Sequence, residues 1–307
     1  LQSPSDWPNL PAEAETGMRY SGIGDFVARG AAALAKGPVA LVFAEDGVEL
    51  VSTVVHHRQA GFRAVVLFAP DDLALPEELQ GSVPTVAYDT LAEGAVPSAV
   101  TAAIAAAPEG TWLYYCYNAE YLFYPFSESR TVGELLAFHA EERREAMLTY
   151  VIDLYASDLD RFPDAVSLEQ AHLDRSGYYA AARHGPPPGS AALDRQLDFY
   201  GGLRWRFEEH VPPARRKIDR IGLFRARKGL ALRANHTLSD EEMNTYACPW
   251  HHNLTAAICS FRAAKALRSN PASRHDIASF RWHGSVPFEW RAQQLLDLGL
   301  IEPGQWF

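Results

Sequence analysis

Trp112-Leu113-Tyr114-Tyr115-Cys116-Tyr117-Asn118-Ala119-Glu120-Tyr121-Leu122-Phe123-Tyr124-Pro125 reads as an apolar β-strand that runs into a short polar turn and then into a second aromatic run. A continuous apolar strand is what a parallel sheet covered on both faces requires. Runs of the same kind stand upstream at residues 39–43, 64–68 and 83–88. Helical stretches separate them, at 49–60 (stopped by Gly61) and at 97–107, where Pro97 suits a first turn. Strands alternating with helices at this spacing predict a doubly wound α/β sheet, whose ligands sit at the carboxyl ends of the strands.

The chain has 307 residues, 48% of them hydrophobic, enough for one large α/β domain or two small ones. A formal charge of −10 argues against a nucleic-acid partner, which needs a basic face. Cys116, Cys248 and Cys259 are widely spaced, with no CxxC or Cys/His zinc pattern, so neither a disulfide framework nor a zinc site is expected. No apolar run reaches the ~18 residues of a transmembrane span. Leu1 to Pro11 is polar and Pro-rich, so no secretory signal is expected and the location predicted is cytoplasmic.

Beyond Thr131 the rhythm changes. Residues 132–147 pattern as a charged amphipathic helix, 148–155 as a strand, and 156–190 as loop closing on Gly185-Pro186-Pro187-Pro188-Gly189. Further helices are expected over 23–36, over 253–267 and near 287–298.

Four short pieces, taken in order, resemble a known group. They are His56-His57-Arg58-Gln59-Ala60-Gly61-Phe62 ("YHrxxGf"), Glu120-Tyr121-Leu122 with Tyr124-Pro125 ("DxDEFLvyP"), Gly201-Gly202-Leu203-Arg204-Trp205-Arg206-Phe207 ("GGvRxRxF"), and Lys217-Ile218 ("KvPLv"). The chain resembles bacterial glycosyltransferase family 2-like proteins of the "glycosyl transferase family 2, type 4" kind, related to glycosyltransferase family 92. The resemblance covers roughly residues 38–268. It implies a GT-A-like (nucleotide-diphospho-sugar transferase) mixed sheet at 38–268, behind an N-terminal lead-in and helix at 1–37 and before a C-terminal helical extension at 269–307. It implies a nucleotide-sugar donor and a glycan or small-molecule acceptor.

The departures concern the metal. The family's two metal aspartates fall at Tyr117 and Ala119, and its late histidine at Ser260. A one-residue slip offers Asn118 and Glu120 as a substitute pair for Mg²⁺ or Mn²⁺, cations that favour carboxylate oxygens. Without that pair no metal is expected, and cationic side chains must balance the leaving diphosphate.

Arg204, Arg206, Lys217 and Arg262 are candidates for that task, and His236 a further donor to a phosphate or acceptor. Glu45-Asp46 and Asp72 follow the first two strands, where a carboxylate can accept from a ribose hydroxyl or cap a helix. Glu120 and Asp153 are candidate bases for the acceptor hydroxyl; Asp174 is a third. Glu120 can equally be paired with an arginine. Trp205, Trp250, Trp282, Trp290 and Trp306 are core residues or sugar-stacking rings. Two functions follow: a glycosyltransferase, or a catalytically silent scaffold that binds a nucleotide, a glycan or a protein partner.

Overall fold

The computed structural model describes residues 18–35, 37–249 and 251–306. Most of the predicted lead-in, the expected helix end at Lys36 and the stacking candidate Trp250 lie outside the described residues.

The first half contains β1 (Arg19–Tyr20), α1 (Ile23–Arg29), α2 (Ala31–Leu34), β2 (Val39–Phe43), α3 (Leu50–Gln59), β3 (Ala64–Ala69), β4 (Thr85–Ala87), α4 (Ala95–Ala106), β5 (Trp112–Tyr117), β6 (Glu120–Phe123) and α5 (Val132–Glu141). The second contains β7 (Ala146–Asp153), β8 (Tyr155–Ala156), β9 (Ala171–Asp174), β10 (Tyr179–His184), β11 (Ala192–Tyr200), α6 (Gly202–Arg206), β12 (Asp219–Arg225), β13 (Ala256–Ser260), α7 (Arg262–Ser269), α8 (Pro271–Arg274), β14 (Ser285–Pro287) and α9 (Ala292–Asp297). Among the described residues nine strands form one mixed sheet in the order β1-β4-β3-β2-β5-β12-β7-β13-β6. The run from β1 to β5 is parallel, β12 is antiparallel to both its neighbours, β13 is parallel to β7, and β6 is antiparallel to β13.

The apolar runs are continuous because helices cover both faces. Ala40 and Val42 of β2 share a cluster with Leu50 and Val54 of α3 and Leu135 of α5. Val39, Leu41 and Phe43 share another with Phe26 of α1, Leu34 of α2 and Val100 of α4. Successive side chains of one strand thus go to opposite layers, each large one contributing roughly 1.5–3 kcal/mol by burial. The sequence outside 38–268 packs into the same body. Phe26 joins the second layer, and Phe288, Trp290 and Leu295 pack on Phe123, Ile152 and Phe261.

Several predicted elements need correction. The helix expected over 253–267 is strand β13 followed by α7. Ala256-Ala257-Ile258-Cys259 is wholly buried between β7 and β6, and that pairing overrides alanine's helical propensity. The helix expected over 132–147 starts at a Thr131–Glu134 capping box and ends at Glu141, so β7 begins at Ala146. The helix expected over 23–36 divides at Gly30, whose Cβ would fall 2.6 Å from Phe26 Cδ2. Within 156–190, expected to be loop, lie β9, in a three-stranded sheet with β8 and β14, and β10, which pairs with β11.

Two buried histidines predict an acid-sensitive fold. His57 Nδ1 donates to the Thr53 carbonyl (2.7 Å) and His139 Nε2 to the Ala146 carbonyl (2.8 Å). Burial lowers both to about 4, against about 6.5 for an exposed histidine. A group depressed on folding contributes stability that is complete above its unfolded value. That stability is lost as the pH falls through the folded value. The urea midpoint should therefore decline between pH 6.5 and 4, and His139→Gln should flatten the decline. A midpoint with the same pH slope in both proteins would contradict this origin.

Candidate functional site at the carboxyl ends of the strands

The strand order reverses at β2, with β3 and β4 on one side and β5 on the other. In an open α/β sheet the crevice lies outside the carboxyl ends of such a pair. Here β2 leads into Ala44-Glu45-Asp46 and β5 into Asn118-Ala119-Glu120. Because β12 is antiparallel, its first residues, Asp219 and Arg220, arrive at the same edge. Asp153 and Ser260 end β7 and β13 in register with one another, and Glu120 opens β6 opposite Ser260.

Glu120 and Arg220 form the centre of this edge. Nη1 and Nη2 of Arg220 lie 2.7 and 3.2 Å from the two carboxylate oxygens, and Ser260 Oγ and the Tyr117 amide complete the shell. The Glu120 side chain is fully buried and that of Arg220 is 3% exposed. Burial alone would raise the Glu120 carboxyl, but the Arg220 charge and the hydrogen bonds overcome it and hold the group at about 2. Arg220 also lies over the rings of Tyr115 and Tyr117. The sequence reading did not single out Arg220. Its signal was a charged residue opening an apolar strand, which requires a buried partner.

Asn118, also fully buried, clips the two crevice turns together. Its Oδ1 accepts from the Glu45 amide (2.9 Å), and its Nδ2 donates to Asp46 Oδ1 (2.6 Å) and the Val48 carbonyl (2.9 Å). The substitute metal pair therefore does not fit a cation. Asn118 Oδ1 and both Glu120 oxygens already face protein donors. Among the described residues no three His, Cys, Asp or Glu side chains are grouped to hold a metal ion.

Two cations from α7 lie across the mouth. Arg262 makes a bidentate pair with Glu45 (2.7 Å for both bonds), and its guanidinium carbon lies 3.7 Å from the Tyr117 ring centroid. Lys265 holds both oxygens of Asp46 (2.9 and 2.8 Å). Asp46 also accepts from the Val48 amide, and the N-cap of α3 is Glu49, with no side-chain cap, so the capping expected of Asp46 is not found. Asp72 is exposed in the turn after β3, with no helix there to cap.

The Gly201-Gly202 pair brings α6 against the end of β7. A Cβ on Gly202 (φ +63°) would fall 2.9 Å from Asp153 Oδ2, and one on Gly201 would fall 2.2 Å from the Tyr178 ring. Close approach therefore demands glycine. Arg204 reaches Asp153 Oδ1 from Nε (3.3 Å) and the Lys217 carbonyl from Nη1 (3.0 Å). Burial raises the Asp153 carboxyl, against the pull of Arg204. Arg206 turns the other way, to Asp174 (2.8 Å) and the Phe280 carbonyl (2.7 Å). Tyr155 and Trp282 also donate to Asp174, so Arg206 and Asp174 tie the C-terminal segment to α6. Lys217 pairs with Asp198 (3.0 Å), which Arg183 shares.

His236 belongs to the crevice. Its Nδ1 lies 3.0 Å from the Tyr115 hydroxyl and its ring stacks on that tyrosine. Burial first, and then Arg220 and Arg262, push its pKa well below the ordinary value; Arg204 adds a smaller push and Glu120 opposes it. The arrangement is a rim of ion pairs (Arg262 with Glu45, Lys265 with Asp46, Arg204 with Asp153) and a buried histidine over the enclosed pair of Glu120 and Arg220. A separate cavity of about 510 Å³ opens at the opposite, amino-terminal edge of β2 and β5, lined by Pro38, Thr111, Trp112, Leu136 and Arg225 among others. It contains none of the candidate residues. No family model and no curated protein matches the chain.

Removing one member of the central pair leaves a buried charge alone, which costs about 3–5 kcal/mol. Arg220→Met should lower unfolding stability by that order, and the Glu120→Gln, Arg220→Met double variant should recover part of the loss. Urea denaturation of the two single variants and the double gives the coupling. A single-variant loss below about 1 kcal/mol would refute the central role.

Proposed function

We propose that the chain is a nucleotide-sugar-dependent glycosyltransferase of GT-A architecture that works without a metal. Arginines balance the charge on the leaving nucleoside diphosphate. The observation that carries this reading is the placement of Arg262, stacked on Tyr117 at the switch-point crevice, where the resemblance puts one of the two metal aspartates. A guanidinium matches a phosphate bidentately, as it here matches Glu45. The reversal of strand order, and the acidic Glu45-Asp46 turn suited to a ribose, support the same reading.

In the transfer, the acceptor hydroxyl oxygen forms a bond to the anomeric carbon. The bond from that carbon to the diphosphate oxygen breaks, and its electron pair leaves with the diphosphate beside Arg262. The hydroxyl proton passes to a carboxylate. Glu120 is unsuited to receive it, since protein donors cover both its oxygens and its carboxyl sits at about 2. Asp153 suits the role better, its carboxyl raised by burial and its Oδ1 approached by Arg204 alone, at 3.3 Å. Arg204 must turn outward for an acceptor to reach it.

One observation favours a second reading, a silent scaffold that keeps the nucleotide site. Tyr117 and Ala119 are buried at 6% and 0% exposure, and Glu120 and Asp153 are as enclosed.

Thermal-shift titration with UDP-, GDP- and dTDP-sugars, with Mn²⁺ and with EDTA, tests the proposal. Stabilisation insensitive to EDTA is expected, with affinity about tenfold or more weaker in Arg262→Ala. Nucleoside diphosphate release then separates the two readings, since stabilisation without turnover leaves the scaffold. No stabilisation by any nucleotide sugar would overturn both.

A further inference from the structure

We propose that the Tyr179, Tyr200 and Trp205 surface beside the crevice is a saccharide-binding platform that receives the pyranose rings of a glycan acceptor. This inference rests on the transferase reading for the word acceptor, and on the surface itself for the sugar.

Tyr179 and Tyr200 are cross-strand partners of β10 and β11, stacked at 5.1 Å with rings 17° from parallel. Trp205 lies five residues after Tyr200, and its ring edge approaches Gly177, two residues before Tyr179. The half-buried Trp282 borders Gly177 too, and the exposed His283 packs on Trp282 with centroids 4.5 Å apart. Two aromatic groups, the Tyr179–Tyr200 pair and Trp205 with Trp282 at Gly177, therefore stand on two adjoining chain segments, 177–179 and 200–205.

Trp205 is exposed on an anchored stretch of chain. Tyr179 and Trp205 are 49% and 40% exposed, yet the residues either side of Trp205 are the anchored Arg204 and Arg206, tied to Asp153 and Asp174. No packing need of the fold explains a large aromatic held at the surface in this way. The polar tips are also free. Among the described residues the hydroxyls of Tyr179 and Tyr200, the Trp205 indole N–H and the His283 imidazole donate to and accept from no protein group. The half-buried Trp282 and the buried Trp290, by contrast, donate to Asp174 and to the Leu168 carbonyl.

The composition selects the ligand. A protein-docking face would mix aliphatic side chains into the surface, but the exposed large aliphatics, Met18, Val27 and Leu91, lie elsewhere in the chain. Flat rings with unengaged N–H and O–H groups match the apolar C–H face and equatorial hydroxyls of a pyranose. The position fits as well, because Trp205 stands next to Arg204, the residue that covers Asp153.

The test uses the whole chain on a printed array of bacterial surface polysaccharides and linear oligosaccharides, followed by titration of the best binder with tryptophan fluorescence as readout. Trp205→Ala and Tyr179→Ala should each weaken binding about fivefold to tenfold with melting temperatures unchanged, and Trp205→Phe should retain most of it. Absence of any bound glycan, or equal binding by Trp205→Ala, would overturn the platform. The nucleotide response is read on the unaltered chain. Glycan binding without it would sink the transferase reading and leave the platform, and the reverse would sink the platform alone.

Discussion

The buried pair between Glu120 and Arg220 is the constraint around which the crevice edge is organised. The glutamate begins β6 and the arginine lies near the start of β12, a hundred residues away. Each would be prohibitively expensive to bury alone. Ser260 from β13 and the amide of Tyr117 from β5 satisfy the remaining acceptor positions, so four strands are registered through one carboxylate. A polar network of this kind, buried with every carboxylate oxygen satisfied, fixes one arrangement of the strands and penalises slipped ones.

That constraint also decides what the edge can do. With Glu120 committed to Arg220 and Asn118 to the two crevice turns, no carboxylate at the turn is left to take a cation. The other carboxylates at the mouth, Glu45, Asp46 and Asp153, are each paired with a cation, Arg262, Lys265 and Arg204. Arg262 makes a bidentate pair with Glu45, so an anion meeting this guanidinium must exchange with an internal carboxylate. The catalytic candidates are equally enclosed, which is why turnover and binding have to be tested separately.

The parallel half of the sheet was legible because its signal is local. Runs such as Val39–Phe43 and Trp112–Tyr117 are apolar at every position, and only a strand covered on both sides calls for that. The C-terminal half was less so. Ala256–Ser260 carries helix-favouring alanines and becomes a strand because β7 and β6 offer it two paired edges. Among site residues, Gly201-Gly202 stood out only as part of the motif before Arg204, and Glu120 was recognised as either base or ion-pair partner. Arg220 was missed, since nothing within a few residues of it announces a carboxylate a hundred positions upstream.

The amino-acid sequence by itself determined the α/β alternation, the continuous apolar strands and the glycine pair before Arg204. Composition and short-range periodicity carry such information because they depend on neighbours along the chain. Tertiary structure alone decided which charges cancel, which carboxylates are closed off, and which tryptophans are displayed. Trp205 and Trp290 look alike in sequence. One stands exposed between two anchored arginines and the other is buried against Phe123, because burial and pairing are set by what arrives from distant strands.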